Sequence, residues 1–236
     1  MVLHDAAERI IVALDGLSQE QAFALVDGLG KRPYAFKIHD LWDQLGPSVV
    51  GAFRNRGAER VWLDLKLKDI PATVGGRARA VRDAGADVLT VHASGEIVMM
   101  QAAVENGPPM VLAVTVLTSL SEEQTHLLHG QPAKAAVLYQ ARLARLAGVH
   151  GIVCSPKEVS VLAQRPELKG MLFVVPGIRP AGMDVGDQKR FDTPAVAIKA
   201  GATHLVVGRA ITSASDPMAA FEAIAKEIAA ALAEKR

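Results

Sequence analysis

The chain has 236 residues, half of them apolar, and a formal net charge of +1. That length suits one α/β barrel, expected as a single domain over 1–236, and the apolar share is enough for a sizeable core. The near-balance of charge and an aromatic content of 4% speak against a nucleic-acid partner, and the lone Cys154 leaves no intrachain disulfide and no cysteine-based metal site.

The opening "MVLHDAAERI" carries acids rather than a long apolar run, and no stretch of about 20 apolar residues follows. The expected location is the cytoplasm, with no membrane partner. Eight short apolar runs then recur: "IIVAL" (10–14), "YAFKI" (34–38), "VWLDL" (61–65), "VLTVH" (88–92), "MVLAVTVL" (110–117), "GIVCS" (151–155), "LFVV" (172–175) and "HLVVG" (204–208). Most are continuous rather than alternating, as parallel strands covered on both faces are. Helically spaced stretches separate them. "SQEQAFALVDGLG" has Ser18 as N-cap and Gly28 or Gly30 as stop, and "PATVGGRARAVRDAGA" stops at Gly85. "TPAVAIKAGA" has Thr193 as cap, Pro194 at the first helical position and Gly201 as stop. A long last helix follows Ser215 or Asp216, with Pro217 just inside. Eight strands alternating with about eight helices predict a (β/α)8 TIM barrel.

In such a barrel, chemistry gathers where the strands end. The first run ends at Asp15 and the second carries Lys37. The third leads into Asp64, Lys66 and Asp69, the fourth ends at His92, and the fifth reaches Thr118 and Ser119. The seventh opens into "PGIRPAGMDVGDQKRFD" (176–192), and the eighth ends in Gly208-Arg209. Charged and polar groups at the same end of nearly every strand are more regular than scattered surface charge.

"DLKLKDIPATV" (64–74) is the densest stretch. Two-residue spacing puts Asp64 and Lys66 on one side of a strand. With Asp15 and Lys37 at neighbouring strand ends, carboxylates and ammonium groups would alternate around the barrel mouth, each keeping the other ionised. The bland alternative is a solvated ion pair contributing about 0–1 kcal/mol. Lys68 reads as a surface residue, because Ile70-Pro71 turns the chain. In "VVGRAIT", Gly208 lets a ligand approach the backbone, and Arg209 can clamp a phosphate, with Gln188 adding a neutral donor. Alone, that "GR" equally fits a helix-capping glycine beside a surface arginine. Cys154 reads as a core residue, and His92 fits either a supporting role or the core. The other histidines show no ligand spacing, and no P-loop, dinucleotide fingerprint or zinc-protease motif is present.

Together these motifs resemble the orotidine 5'-phosphate decarboxylases of bacterial type. "DLKLKDIPATV" resembles their D-x-K-x-x-D-I-P-x-T motif, and "IVALD", "FKI", "VHASG", "TVLTS", "PGIRP", "GDQ" and "VVGRAIT" follow in family order. The resemblance implies decarboxylation of orotidine 5'-monophosphate to uridine 5'-monophosphate, with no metal and no organic cofactor. Asp15 and Lys37 would bind the ribose hydroxyls. Asp64 would face the substrate carboxylate, and Lys66 would protonate C6 of the pyrimidine. Asp69 and Thr73 would reach a partner's site, which makes the protein a homodimer with shared active sites. Thr118 and Ser119 would lie near the pyrimidine. Gln188, Gly208 and Arg209 would hold the 5'-phosphate, with Arg179 in a closing loop.

Four positions depart from the family pattern. Lys68 and Ala72 replace the usual His and Asn, and His39 and Glu96 stand where glycine is usual. The nearest alternatives are a magnesium-dependent sister acting on sugar phosphates, which shares D-x-K-x-x-D, and a barrel that binds phosphate without catalysis.

Overall fold

The computed structural model describes residues 2–179 and 192–234. Eight parallel strands close into a barrel in chain order. They are β1 (Ile10–Ala13), β2 (Ala35–Ile38), β3 (Val61–Leu67), β4 (Val88–His92), β5 (Met110–Val114), β6 (Gly151–Val153), β7 (Leu172–Val175) and β8 (His204–Val207), with β8 pairing back onto β1. The fold is a (β/α)8 TIM barrel. Each predicted run meets one strand; β3 continues two residues past its run to Leu67, and β5 ends at Val114, earlier than its run.

Local signals set the helix ends. Ser18 caps the helix Gln19–Leu29 by accepting from the Gln21 N–H, and the helix stops at Gly30 with Gly28 inside it. Thr193 caps Pro194–Ala200, which ends on Gly201 in the left-handed conformation. Asp216 caps the long helix Pro217–Ala233 by accepting from Ala219 N–H at 2.9 Å.

The described residues hold twelve α-helices, more than the about eight expected. One, Val2–Ala7, precedes β1, and the four-residue Arg209–Thr212 follows β8. Two connections are split: Gly46-Pro47 separates Asp40–Leu45 from Ser48–Asn55, and Gly130 ends Glu122–His129 before Ala133–Leu146. None of them is long and apolar enough to cross a membrane.

The apolar residues divide by strand alternation. Phe36, Leu63, Leu89, Val111 and Val207 point outward and pack under the helices, the larger core. Ile11, Ala13, Ala35, Trp62, Val88, Leu112, Val174 and Val206 fill the barrel interior. The Trp62 indole N–H donates to Thr90 Oγ1 at 2.6 Å, so this large ring is held without an unpaired donor. One alternation step above that apolar plug, toward the strands' C-terminal ends, the inward positions become Lys37 and Asp64.

Candidate active site

Asp15 reaches the barrel mouth because the β1 chain stays paired past its last strand residue. Leu14 N–H donates to the Lys37 carbonyl at 3.0 Å. Lys37 Nζ then lies 2.7 Å from Asp15 Oδ2 and 2.9 Å from Asp64 Oδ2. Lys66 Nζ lies 2.8 Å from the same Asp64 oxygen. The four groups form one alternating chain: carboxylate, ammonium, carboxylate, ammonium.

Burial makes this chain more than surface decoration. Lys37 is 5% exposed and Asp64 is 6%. Burial alone would push the Lys37 ammonium down, yet the Asp64 and Asp15 carboxylates outweigh it and hold its pKa above the ordinary value. Burial likewise works to raise Asp64, and Lys37 and Lys66 hold its carboxyl well below the usual range. Both groups are therefore charged at neutral pH.

Lys66 reaches Asp64 from an irregular strand. Between Leu63 and Leu67 the β3–β4 register shifts, so four steps along β3 face two along β4. Lys66 sits in this bulge at φ 48°, a left-handed conformation uncommon for a side-chain-bearing residue. The surplus is two residues, so inward and outward positions keep their parity and Leu67 returns to the outer core. Alternation thus places Asp64 and Lys66 on the same side, while the strain at Lys66 is not visible from it.

A cavity of about 360 Å³ opens above the chain of charges. Asp15, Lys37, Asp64, Lys66, Thr118, Arg179, Gly208 and Arg209 all line it. After β7, Gly177 turns with φ 77°, and Ile178 bridges Asp192. Arg179 N–H donates to the Asp192 carbonyl at 3.0 Å, which fixes the arginine at the base of the following segment. The Arg179 side chain is buried. Burial first, and Arg209 second, lower its pKa from the ordinary value. Two guanidinium groups sharing one wall repel each other, and a bound anion relieves that repulsion. A Cβ built on Gly208 would lie 3.7 Å from Ala13, an ordinary contact. Packing therefore does not demand glycine there, and the position leaves backbone open to the cavity.

Other expected residues stand elsewhere. Asp69 is exposed, does not line the cavity, and accepts from the Ile70 N–H at 2.6 Å. Thr73 is exposed on the helix Pro71–Asp83, and Ser119 is exposed outside the cavity lining. Gln188 lies outside the described residues. Lys68 is exposed, and with His92 it lines a second cavity of about 520 Å³. Burial, then the Lys68 and Lys66 charges, hold the His92 imidazole below its ordinary pKa against Asp64. Cys154 is buried, and burial, then Glu158, push its thiol up, so it is an unreactive core residue. Trp62, Val116 and Thr212 line the cavity above the charges without having been singled out. Trp62 was within reach, being two positions before Asp64 on one strand.

The sequence matches the family described as "Orotidine 5'-phosphate decarboxylase / HUMPS family" over residues 8–224. The chain belongs to that family. It is 46% identical over 232 residues to an orotidine 5'-phosphate decarboxylase of Halorhodospira halophila, covering 94% of this chain and 97% of the relative. It is 44% identical over 245 residues to one from Moorella thermoacetica, covering 97% and 95%. A crystal structure of orotidine 5'-phosphate decarboxylase from Lactobacillus acidophilus superposes with a TM-score of 0.78 at 36% identity, covering 93% of this chain and 98% of that one.

Family membership gives the departures a physical meaning. Glu96 stands where the family pattern has glycine and adopts φ 70°, ψ 173°, a region that belongs almost entirely to glycine. His39 has φ −130°, so its backbone needs no glycine. Among the described residues no group of three or more His, Cys, Asp or Glu side chains is placed to hold a metal ion.

Proposed function

We propose that this protein decarboxylates orotidine 5'-monophosphate to uridine 5'-monophosphate, in pyrimidine nucleotide synthesis, with no metal or organic cofactor. One observation carries the reading: the chain Asp15–Lys37–Asp64–Lys66 lies on the floor of a cavity whose wall holds Arg179 and Arg209. The arginines take the 5'-phosphate beside the open backbone of Gly208, with Gln188 as a further donor. Asp15 and Lys37 take the ribose hydroxyls. Thr118 lies on the pyrimidine side of the cavity.

The chemistry needs a cation at one carbon. When the bond from C6 to the carboxylate breaks, CO2 leaves and the electron pair stays on C6. The Lys66 ammonium stabilises that charge as it develops, then transfers a proton to C6 and becomes the neutral amine. Asp64, ionised between two ammonium groups, faces the substrate carboxylate and holds Lys66 in place. Phosphate binding far from C6 supplies binding energy that can be used at the reacting carbon. Asp69 and Thr73 of the partner subunit complete the array, which fits their exposure on one chain and makes the protein a homodimer.

A magnesium-dependent sister reaction on a sugar phosphate is the second reading, favoured by the shared D-x-K-x-x-D spacing. A magnesium ion at this site would have to take Asp15 or Asp64 from Lys37, which already holds both. The test follows loss of orotate absorbance with purified protein, with and without a chelator. Turnover unaffected by chelation is expected. No turnover of orotidine monophosphate sinks the reading in favour of the sugar-phosphate sister, and turnover lost on chelation overturns its metal-free part.

A further inference from the structure

The β2–β3 ladder ends at Ile38 opposite Leu63, one residue before Asp64. Beyond that point the β3 backbone enters its bulge and holds Lys66 at φ 48°. A left-handed side-chain-bearing residue persists only where its surroundings fix it. On the β2 side the fixing contact is a side chain. His39 Nδ1 lies 2.6 Å from the Asp64 main-chain carbonyl oxygen. A carbonyl only accepts, so Nδ1 carries the hydrogen and donates.

We infer that His39 is a positioning residue: its ring N–H clamps the Asp64 carbonyl and so fixes the bulge that aims Lys66 at the reacting carbon. The inference rests on the proposed decarboxylation. Asp64 is then held on two sides, its carboxylate by Lys37 and Lys66 and its carbonyl by His39. His39 is itself anchored. It precedes the helix Asp40–Leu45, and the Asp40 carboxylate accepts from the Gly16 N–H at 3.3 Å. The segments following Asp15 and Lys37 and the one leading to Lys66 are thereby tied together at the barrel mouth. Glycine, usual at this position in the family pattern, has no side chain to make that bond. In this chain the clamp comes from the residue that departs from the pattern.

The test uses His39→Ala and His39→Asn in the full-length protein. Each is measured for kcat, for KM and for hydrogen–deuterium exchange in the peptide covering residues 63–69. His39→Ala is expected to lower kcat roughly ten- to a hundredfold with KM within about threefold, since an ångström of misplacement acts on the chemical step. Exchange in that peptide speeds up. His39→Asn keeps an amide N–H donor close to the position of Nδ1 and restores most of both. Wild-type kcat in His39→Ala overturns the inference, whether or not exchange speeds up, and so does a His39→Asn variant as impaired as His39→Ala. If the wild-type protein itself fails to decarboxylate orotidine monophosphate, the functional reading has failed. The exchange comparison then decides the clamp by itself: unchanged exchange in His39→Ala overturns it.

Discussion

Lys37 neutralises two carboxylates at once from a position with almost no solvent. Lys37→Ala takes one of two ammonium partners from buried Asp64, which keeps Lys66, and frees a half-exposed Asp15, so it should destabilise the protein by about 1–3 kcal/mol in urea denaturation. The pH dependence has a definite sign. Asp64 has its folded pKa depressed, so its contribution is fully present above the unfolded value of about 4 and is lost as pH falls toward the folded one. Lys37 has its folded pKa raised, so its contribution is present below about pH 10 and is lost as pH rises through the folded value. Across the neutral range both contributions should be flat, and Asp64→Asn should weaken the acid limb of the stability profile. On the proposed reading Arg209→Ala removes a charge-assisted phosphate contact of about 1.5–3 kcal/mol, which should appear chiefly as a raised KM in steady-state kinetics. Asp15, Lys37, Asp64, Lys66 and Arg209 were legible because they fall toward the strand ends, while Arg179 came from the family resemblance. The His39 bond to a main-chain carbonyl was not legible, because no spacing rule links a side chain on one strand end to a backbone atom on the next.

Strand β3 shows what element-level patterns carry and what they omit. Its two-residue period put Asp64 and Lys66 on one side. The bulge spans both residues, and the 2.8 Å contact between Lys66 Nζ and Asp64 Oδ2 shows them together despite it, while its two-residue surplus returns Leu67 to the outer face. The left-handed backbone at Lys66 left no mark in the sequence, since lysine is not a residue chosen for that conformation. Glu96 is the readable counterpart: the family pattern has glycine there, and φ is 70°. Glu96→Gly should relieve strain of about 1–3 kcal/mol against a glycine entropy cost of about 0.5–1 kcal/mol. The net gain of about 1 kcal/mol should raise Tm by about 2–4 °C in a thermal melt. The helix count was less legible than the strands. The breaks at Gly46-Pro47 and Gly130 each make two helices of one connection, which a count of about eight does not foresee.

At the scale of the whole molecule, one chain supplies the cavity, the floor of charges and the arginine wall, while Asp69 and Thr73 face solvent. Their assignment to a partner's site came from family resemblance alone, because spacing along a strand says nothing about a second subunit. Subunit mixing tests it. Lys66→Ala and Asp69→Ala proteins, each inactive, should regain about a quarter of wild-type activity after exchange, since half the dimers are mixed and each mixed dimer has one intact site. Asp69 acting within its own chain would give no recovery. The central claim is that Lys66 is the cation and proton donor at C6, and it is tested most directly on Lys66→Ala. Decarboxylation should fall by at least about 10³-fold while calorimetry still detects uridine monophosphate binding. Near-normal turnover in that variant would contradict the account.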